Sequence, residues 1–187
     1  DYFVKIKPFV SFDFRKAFAR SSVSHSLDLS YYFITEGRAY TGVLFSNLPN
    51  YLSLTQVEYN MENTKTITQS FLKVKLQYLP ISNADFLKLF TTYQTTHRYN
   101  KKGSTVSARF FAGAFLFNNT SSGRYNFRMD GNNGGGLDYT YDNVFLGRNE
   151  TDGLWSNQFY EGQGNFKILT PLGQSNEWIT AVNLKAD

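Results

Sequence analysis

Asp138 and Asp142 bracket the tripeptide Tyr-Thr-Tyr, and clustered oxygen ligands of that kind suit a hard cation such as calcium. Their spacing completes no calcium-loop pattern, so the structural reading comes first: acids paired with Arg148 or with nearby backbone. The pairs Glu58/Glu62 and Glu150/Asp152 could share acid–base work. A chain with 15 acidic residues throws up such pairs by chance. The two histidines, His25 and His97, sit in no motif. There is no His-Glu-x-x-His for zinc and no Gly-x-Ser-x-Gly elbow. Gly134-Gly135-Gly136 precedes neither a lysine nor a helix, so it is a loop feature rather than a phosphate cradle. With no cysteine at all, thiolate metal sites and disulfide scaffolds are excluded. The expectation is that this chain is not itself an enzyme, holds no metal and needs no cofactor. Asn118, Asn119 and Asn149 open Asn-x-Ser/Thr triplets that match glycosylation acceptors.

What must position these side chains is sheet. Leu72, Val74, Leu76 and Tyr78 share one parity, and Lys73, Lys75 and Gln77 share the other. Successive strand side chains point to opposite faces, so this is a two-faced strand. Val23, Leu27, Leu29, Tyr31 and Phe33 oppose Ser24, Ser26, Asp28 and Ser30. Val106, Ala108, Phe110, Ala112, Ala114 and Leu116 oppose a face that holds Ser107, Arg109 and Gly113. Strands are expected near 9–18, 22–35, 39–47, 51–60, 66–79, 85–99, 104–118, 155–169 and 177–185, joined by turn-rich segments. Pro8 cannot donate to a ladder and suits an edge or a strand start. Ala84–Phe90 could begin a helix, but Thr91–Thr96 is too β-branched to continue it.

Many of these strands are long. A strand in a globular protein averages about 5–6 residues, whereas a tilted membrane-spanning strand needs about 9–11. Aromatics make up 18% of the 187 residues and charged residues another 18%, with a net charge of +4. The aromatic load excludes disorder and suits the rims of a membrane barrel, where Tyr and Trp keep an apolar body in lipid and a polar tip in water. The longest apolar stretch, Phe110–Phe117, is far too short for a membrane helix. The charge is too mild to argue for nucleic acid. The fold expected is therefore all-β: an antiparallel up-and-down transmembrane β-barrel over residues 1–187, forming an incomplete part of a larger barrel. An odd strand count, an opening at Asp1 and a close inside a strand all point to a piece of a longer protein. The alternative is a soluble lipocalin-like barrel binding a small ligand, with its apolar parity turned inward. Parity does not distinguish inward from outward.

Residues 119–154 stand apart, holding 7 of the 14 glycines together with many Asn and Asp. A connection of that length is usually functional. The expectation is a loop folding into or across a barrel mouth. Asp138, Asp142 and Arg148 would then meet Glu161 and Arg109 in a polar cluster, with Lys73 and Lys75 as basic residues facing the lumen.

The tracts Arg109-Phe-Phe-Ala-Gly113, Asp138-Tyr-Thr-Tyr-Asp142, Phe145-Leu-Gly-Arg148, Gly153-Leu-Trp-Ser-Asn-Gln158, Glu161-Gly-Gln-Gly-Asn-Phe-Lys167 and Asn176-Glu-Trp-Ile-Thr180 occur in that order. Together, over residues 104–187, the chain resembles the C-terminal region of large membrane-associated proteins of Bacteroidota. Those proteins join an M1-like (gluzincin) metallopeptidase region to a β-rich membrane-embedded region. Gly162-Gln-Gly164 departs from that pattern by interrupting a glycine pair. The resemblance implies a zinc aminopeptidase-like parent in a Gram-negative outer membrane. The catalytic motif would lie upstream, so no catalytic residue falls in this chain. The role expected is a membrane anchor, a scaffold or the wall of a passage. Its partners would be outer-membrane lipids and other outer-membrane proteins. The remaining alternative is a subunit of an outer-membrane transport or assembly complex.

Overall fold

The computed structural model describes residues 2–14, 21–37, 50–80, 85–99, 104–120, 123–129, 163–164 and 173–186. Ten strands run through them: β1 (Tyr2–Ile6), β2 (Phe9–Phe14), β3 (Val23–Gly37), β4 (Asn50–Asn63), β5 (Thr68–Leu79), β6 (Phe86–Arg98), β7 (Thr105–Asn118), β8 (Phe127–Arg128), β9 (Gln174–Ser175) and β10 (Trp178–Ala186). A single 3₁₀ turn, Gly123–Tyr125, precedes β8. Among the described residues no helix is long and apolar enough to cross a membrane.

Eight strands form one antiparallel sheet. From β3 to β7 each strand pairs with the next in sequence, and β10 then adds to the free side of β7. β1 and β2 share the first lane. β1 pairs with the end of β3 at Phe33–Gly37, and β2 pairs with His25–Ser30. Pro8 lies at the break between them, where it has no N–H to give. Its carbonyl still accepts from the Tyr31 amide at 3.1 Å. Among the described residues β10 pairs only with β7 and the first lane only with β3, so the sheet does not close on itself there. β8 and β9 make a separate two-stranded ladder.

The architecture is thus all-β and antiparallel with up-and-down neighbours, as the alternation demanded. β3, β4, β5, β6, β7 and β10 fall where strands were expected, and β2 is described as far as Phe14. β1 is an addition. Tyr2, Val4 and Ile6 share a parity there, and β3 is long enough to hold a second short partner. The strand expected at 39–47 lies outside the described residues. Of 155–169 only Gln163 and Gly164 are described, and they sit in a turn.

The register carries the two parities across the whole sheet. Val10, Leu29, Val57, Leu76, Leu89, Ala114 and Trp178 form one lateral row. Four residues away along β5, a second row runs Phe14, His25, Met61, Leu72, Tyr93, Phe110 and, on β10, Val182. This apolar face is the exposed one: Leu29 is 42% accessible, Phe33 50% and Leu184 76%. The opposite face carries the charges and is covered, with Lys88 at 2%, Gln56 at 2% and Lys75 at 9%. The covered face therefore buries charged and amide groups, while the exposed face is largely apolar.

Both hydrophobic clusters lie on the covered face. Tyr32, Ile34, Leu54, Leu79 and Phe86 pack with Tyr125. Phe111, Ile179 and Ala181 pack with Phe127. Among the described residues, the segment around the 3₁₀ turn supplies part of the covering. A β-bulge between Leu87 and Lys88 leaves Leu116 as the extra residue of β7, so that Lys88 meets Phe115 while Leu87 meets Phe117.

Candidate functional site: the charged face of the sheet

Lateral pairing assembles this face. β3 sets Asp28 opposite Glu58 and Ser26 opposite Asn60. β5 then sets Lys75 opposite Glu58, Lys73 opposite Asn60 and Gln77 opposite Gln56. Two carboxylates directly opposite each other repel, and each is met by its own donors. Glu58 takes Lys75 Nζ at 2.8 Å, Lys73 Nζ at 3.2 Å and Gln56 Nε2 at 3.2 Å. Asp28 accepts from Asn60 Nδ2 at 3.0 Å and from the Ser11 hydroxyl of β2. Gln56 extends the network by accepting from Gln77 Nε2 at 2.8 Å and from the Tyr32 hydroxyl at 3.4 Å. Lys5 and Lys7 place their ammonium groups 4.9 and 5.0 Å from the Tyr32 ring centre. The result is a ribbon of alternating charge and amide across four lanes of sheet. Such groups are worth burying only when bonded to one another.

Across β6 and β7 the face becomes aromatic. The Lys88 ammonium lies 4.4 Å from the Phe127 ring centre, 5.3 Å from Phe115 and 5.9 Å from Phe90. It donates to the Tyr125 carbonyl at 2.9 Å. Phe127 meets Phe115 edge-on at 5.0 Å and Phe111 at 6.3 Å. It reaches this depth because residue 113 is glycine: a Cβ there would stand 2.4 and 2.7 Å from Phe127 ring atoms. Arg109 donates through Nη1 to Asn183 Oδ1 at 3.1 Å and through Nη2 to the Gln163 carbonyl at 2.9 Å. Asn183 Nδ2 donates to the Gly164 carbonyl at 3.1 Å.

At the end of the face near the β4–β5 turn there is an open cleft of about 250 Å³, bordered by Glu62, Gln69, Phe71, Gln94 and Thr96 among others. The histidines stand elsewhere. His25 Nδ1 is 2.8 Å from the Tyr59 hydroxyl on the apolar face, and His97 Nδ1 is 2.9 Å from Thr68 Oγ1 at a strand end. Among the described residues no group of three or more His, Cys, Asp or Glu is placed to hold a metal ion.

Of the candidate residues, Arg109, Lys73 and Lys75 all occupy the charged face. Asp138, Asp142, Arg148 and Glu161 lie outside the described residues. Gln163 and Gly164, close after Glu161, do rest against Arg109 and Asn183. The described parts of the glycine-rich loop, near Tyr125 and Phe127, rest on the same face. Three important residues escaped the sequence reading: Glu58 as the hub of the lysines, Lys88 and Asn183. Strand parity places all three on this face, but their partners are visible only once the strands are in register. No family model, curated protein or solved structure matches the chain.

Proposed function

We propose that the chain is part of the wall of a β-barrel in a bacterial outer membrane, with its apolar face against lipid and its charged face toward the lumen. It serves there as an anchor, a scaffold or the wall of a passage. The observation that carries this reading is an exposed apolar face backed by a face that buries charged and amide groups. Leu29, Phe33, Val182 and Leu184 are exposed while Lys75, Lys88, Gln56 and Gln77 are buried. A lipocalin-like cup requires the opposite assignment, and in water the apolar face would be an unusually large exposed patch.

Dimensions support the same reading. β4, with 14 residues, spans roughly 45 Å along its axis, or about 35 Å when tilted by about 40°. That clears an apolar band of about 25 Å. The apolar face also carries aromatic residues, Tyr51 and Tyr59 on β4, Tyr93 on β6, and Phe110 and Phe117 on β7. Closure into a barrel would come from further strands or another chain. An upstream metallopeptidase-like region rests on the sequence resemblance alone.

The absence of cysteine makes the test direct. Single cysteines are placed at each position from Leu72 to Tyr78, spin-labelled, and read in lipid vesicles for collision with oxygen and with a water-soluble nickel complex. Oxygen accessibility should peak at Leu72, Val74, Leu76 and Tyr78 and fall at Lys73, Lys75 and Gln77. Preferential collision of the apolar positions with the nickel complex would overturn the proposal.

A further inference from the structure

We infer that the segment carrying Tyr125 and Phe127 is a seated strap that occludes the lumen, so that the barrel is closed as built. This inference rests on the barrel reading above. The strap lies flat on the charged face of β6, β7 and β10, which is the lumen side in that reading. A layer packed on a sheet occupies about 10 Å; a barrel of about eight strands has room only for its own side chains, and one completed by a few strands more would enclose a gap that such a layer fills.

The seat is built on both sides. From the wall, Lys88, Arg109 and Asn183 reach backbone carbonyls of Tyr125, Gln163 and Gly164. Holding carbonyls fixes the path of the strap whatever its side chains. From the strap, Phe127 is fully buried and Tyr125 nearly so, with Phe127 filling the gap at Gly113. The strap is also tied into one piece. Gly164 N donates to the Arg128 carbonyl at 3.1 Å, Met129 N to the Gly173 carbonyl at 2.9 Å, and Arg128 N to Gln163 Oε1 at 2.8 Å. The pieces near 127, 163 and 174 therefore sit or leave together. Lys88 is the pin: its ammonium both bonds the Tyr125 carbonyl and faces the Phe127 ring.

The test is conductance of the intact protein, extracted from membranes in detergent and inserted into planar lipid bilayers. Wild type should be silent. Gly113→Leu drives a side chain into the place of Phe127, and Lys88→Met keeps the stem but removes the pin. Either should raise the frequency of openings about tenfold to a hundredfold, the scale expected from losing a charge-assisted hydrogen bond. Heat-modifiable migration on a gel reports whether each variant is folded. If Gly113→Leu fails to fold, Lys88→Met still decides. Steady large openings of the wild type would overturn the strap and leave the barrel standing, and so would folded variants as silent as wild type. Release of the wild type from carbonate-washed membranes would overturn the barrel reading itself.

Discussion

Replacing Leu29 by arginine places a charge midway along β3, four residues from His25 and four from Phe33 on the same face. Four residues of strand are roughly 14 Å, or about 10 Å of depth at a tilt near 40°. Leu29 is 42% accessible, so the new side chain would meet surroundings rather than a packed core. If those surroundings are lipid, the substitution costs about 2–4 kcal/mol, because a guanidinium near the midplane of a barrel's lipid face loses hydration. Near the rim, Phe33→Arg should cost only about 0–1 kcal/mol on the same scale. If the surroundings are water, both changes should stay within about 0.5 kcal/mol of wild type, as surface substitutions do. The assay is urea unfolding in lipid vesicles, followed by tryptophan fluorescence and read as the change in midpoint at constant slope. A Leu29→Arg protein as stable as wild type, or one no weaker than Phe33→Arg, would refute the lipid-facing assignment.

Other consequences follow from the charged face. Glu58→Gln should destabilise by about 3 kcal/mol, because Lys73 and Lys75 lose the carboxylate they share while remaining half-buried or deeper. Adding Lys75→Met should restore much of that loss, and denaturant midpoints of the two singles and the double give the coupling. A loss of only a few tenths would mean that water screens the pair. Arg109→Lys keeps the charge but loses the fork that spans Asn183 and the Gln163 carbonyl. It should cost about 1–2 kcal/mol and speed proteolysis near residue 163, and unchanged cleavage would contradict that role.

The chain's alternation made much of this legible. Leu72 to Tyr78 announces both a strand and its two faces, and β3 does the same with its serines and Asp28. Which face is covered was not legible, because that depends on what packs against it. The decisive residues, Tyr125 and Phe127, lie in a glycine-rich stretch with no period of its own. Lys88 shows the same limit. In Leu87-Lys88-Leu89 it reads as an ordinary solvent-facing lysine, and only Phe115 and Phe127 turn it into a buried cation. β1 carried a visible period but was hidden by its brevity and by Pro8, which ends it. The bulge at Leu87/Lys88 had no local signal, since β6 reads as a regular strand through that point. The acids at 138, 142 and 161 lie outside the described residues, whereas Arg109 stands where parity put it.

The ladder of β8 and β9 has only two residues a side, yet it bears on the order in which the sheet is made. β4 to β7 can zip up as successive hairpins, each closing a short turn. β10 must return from Asn118 across about 60 residues, a closure roughly 2–3 kcal/mol more costly than that of a four-residue turn. Seating Phe127 on β6 and β7 gives β9 a partner, and Ser175 then turns the chain through hydrogen bonds from the Glu177 and Trp178 amides. The Glu177 carbonyl receives the Phe115 amide at 2.7 Å, which delivers Trp178 to Ala114 in register. The short ladder is thus a guide for the last strand rather than a contributor to its strength. Pulsed hydrogen exchange during refolding should find the amides of Met129 and Phe115 protected no later than those of β10, and the reverse order would sink the idea.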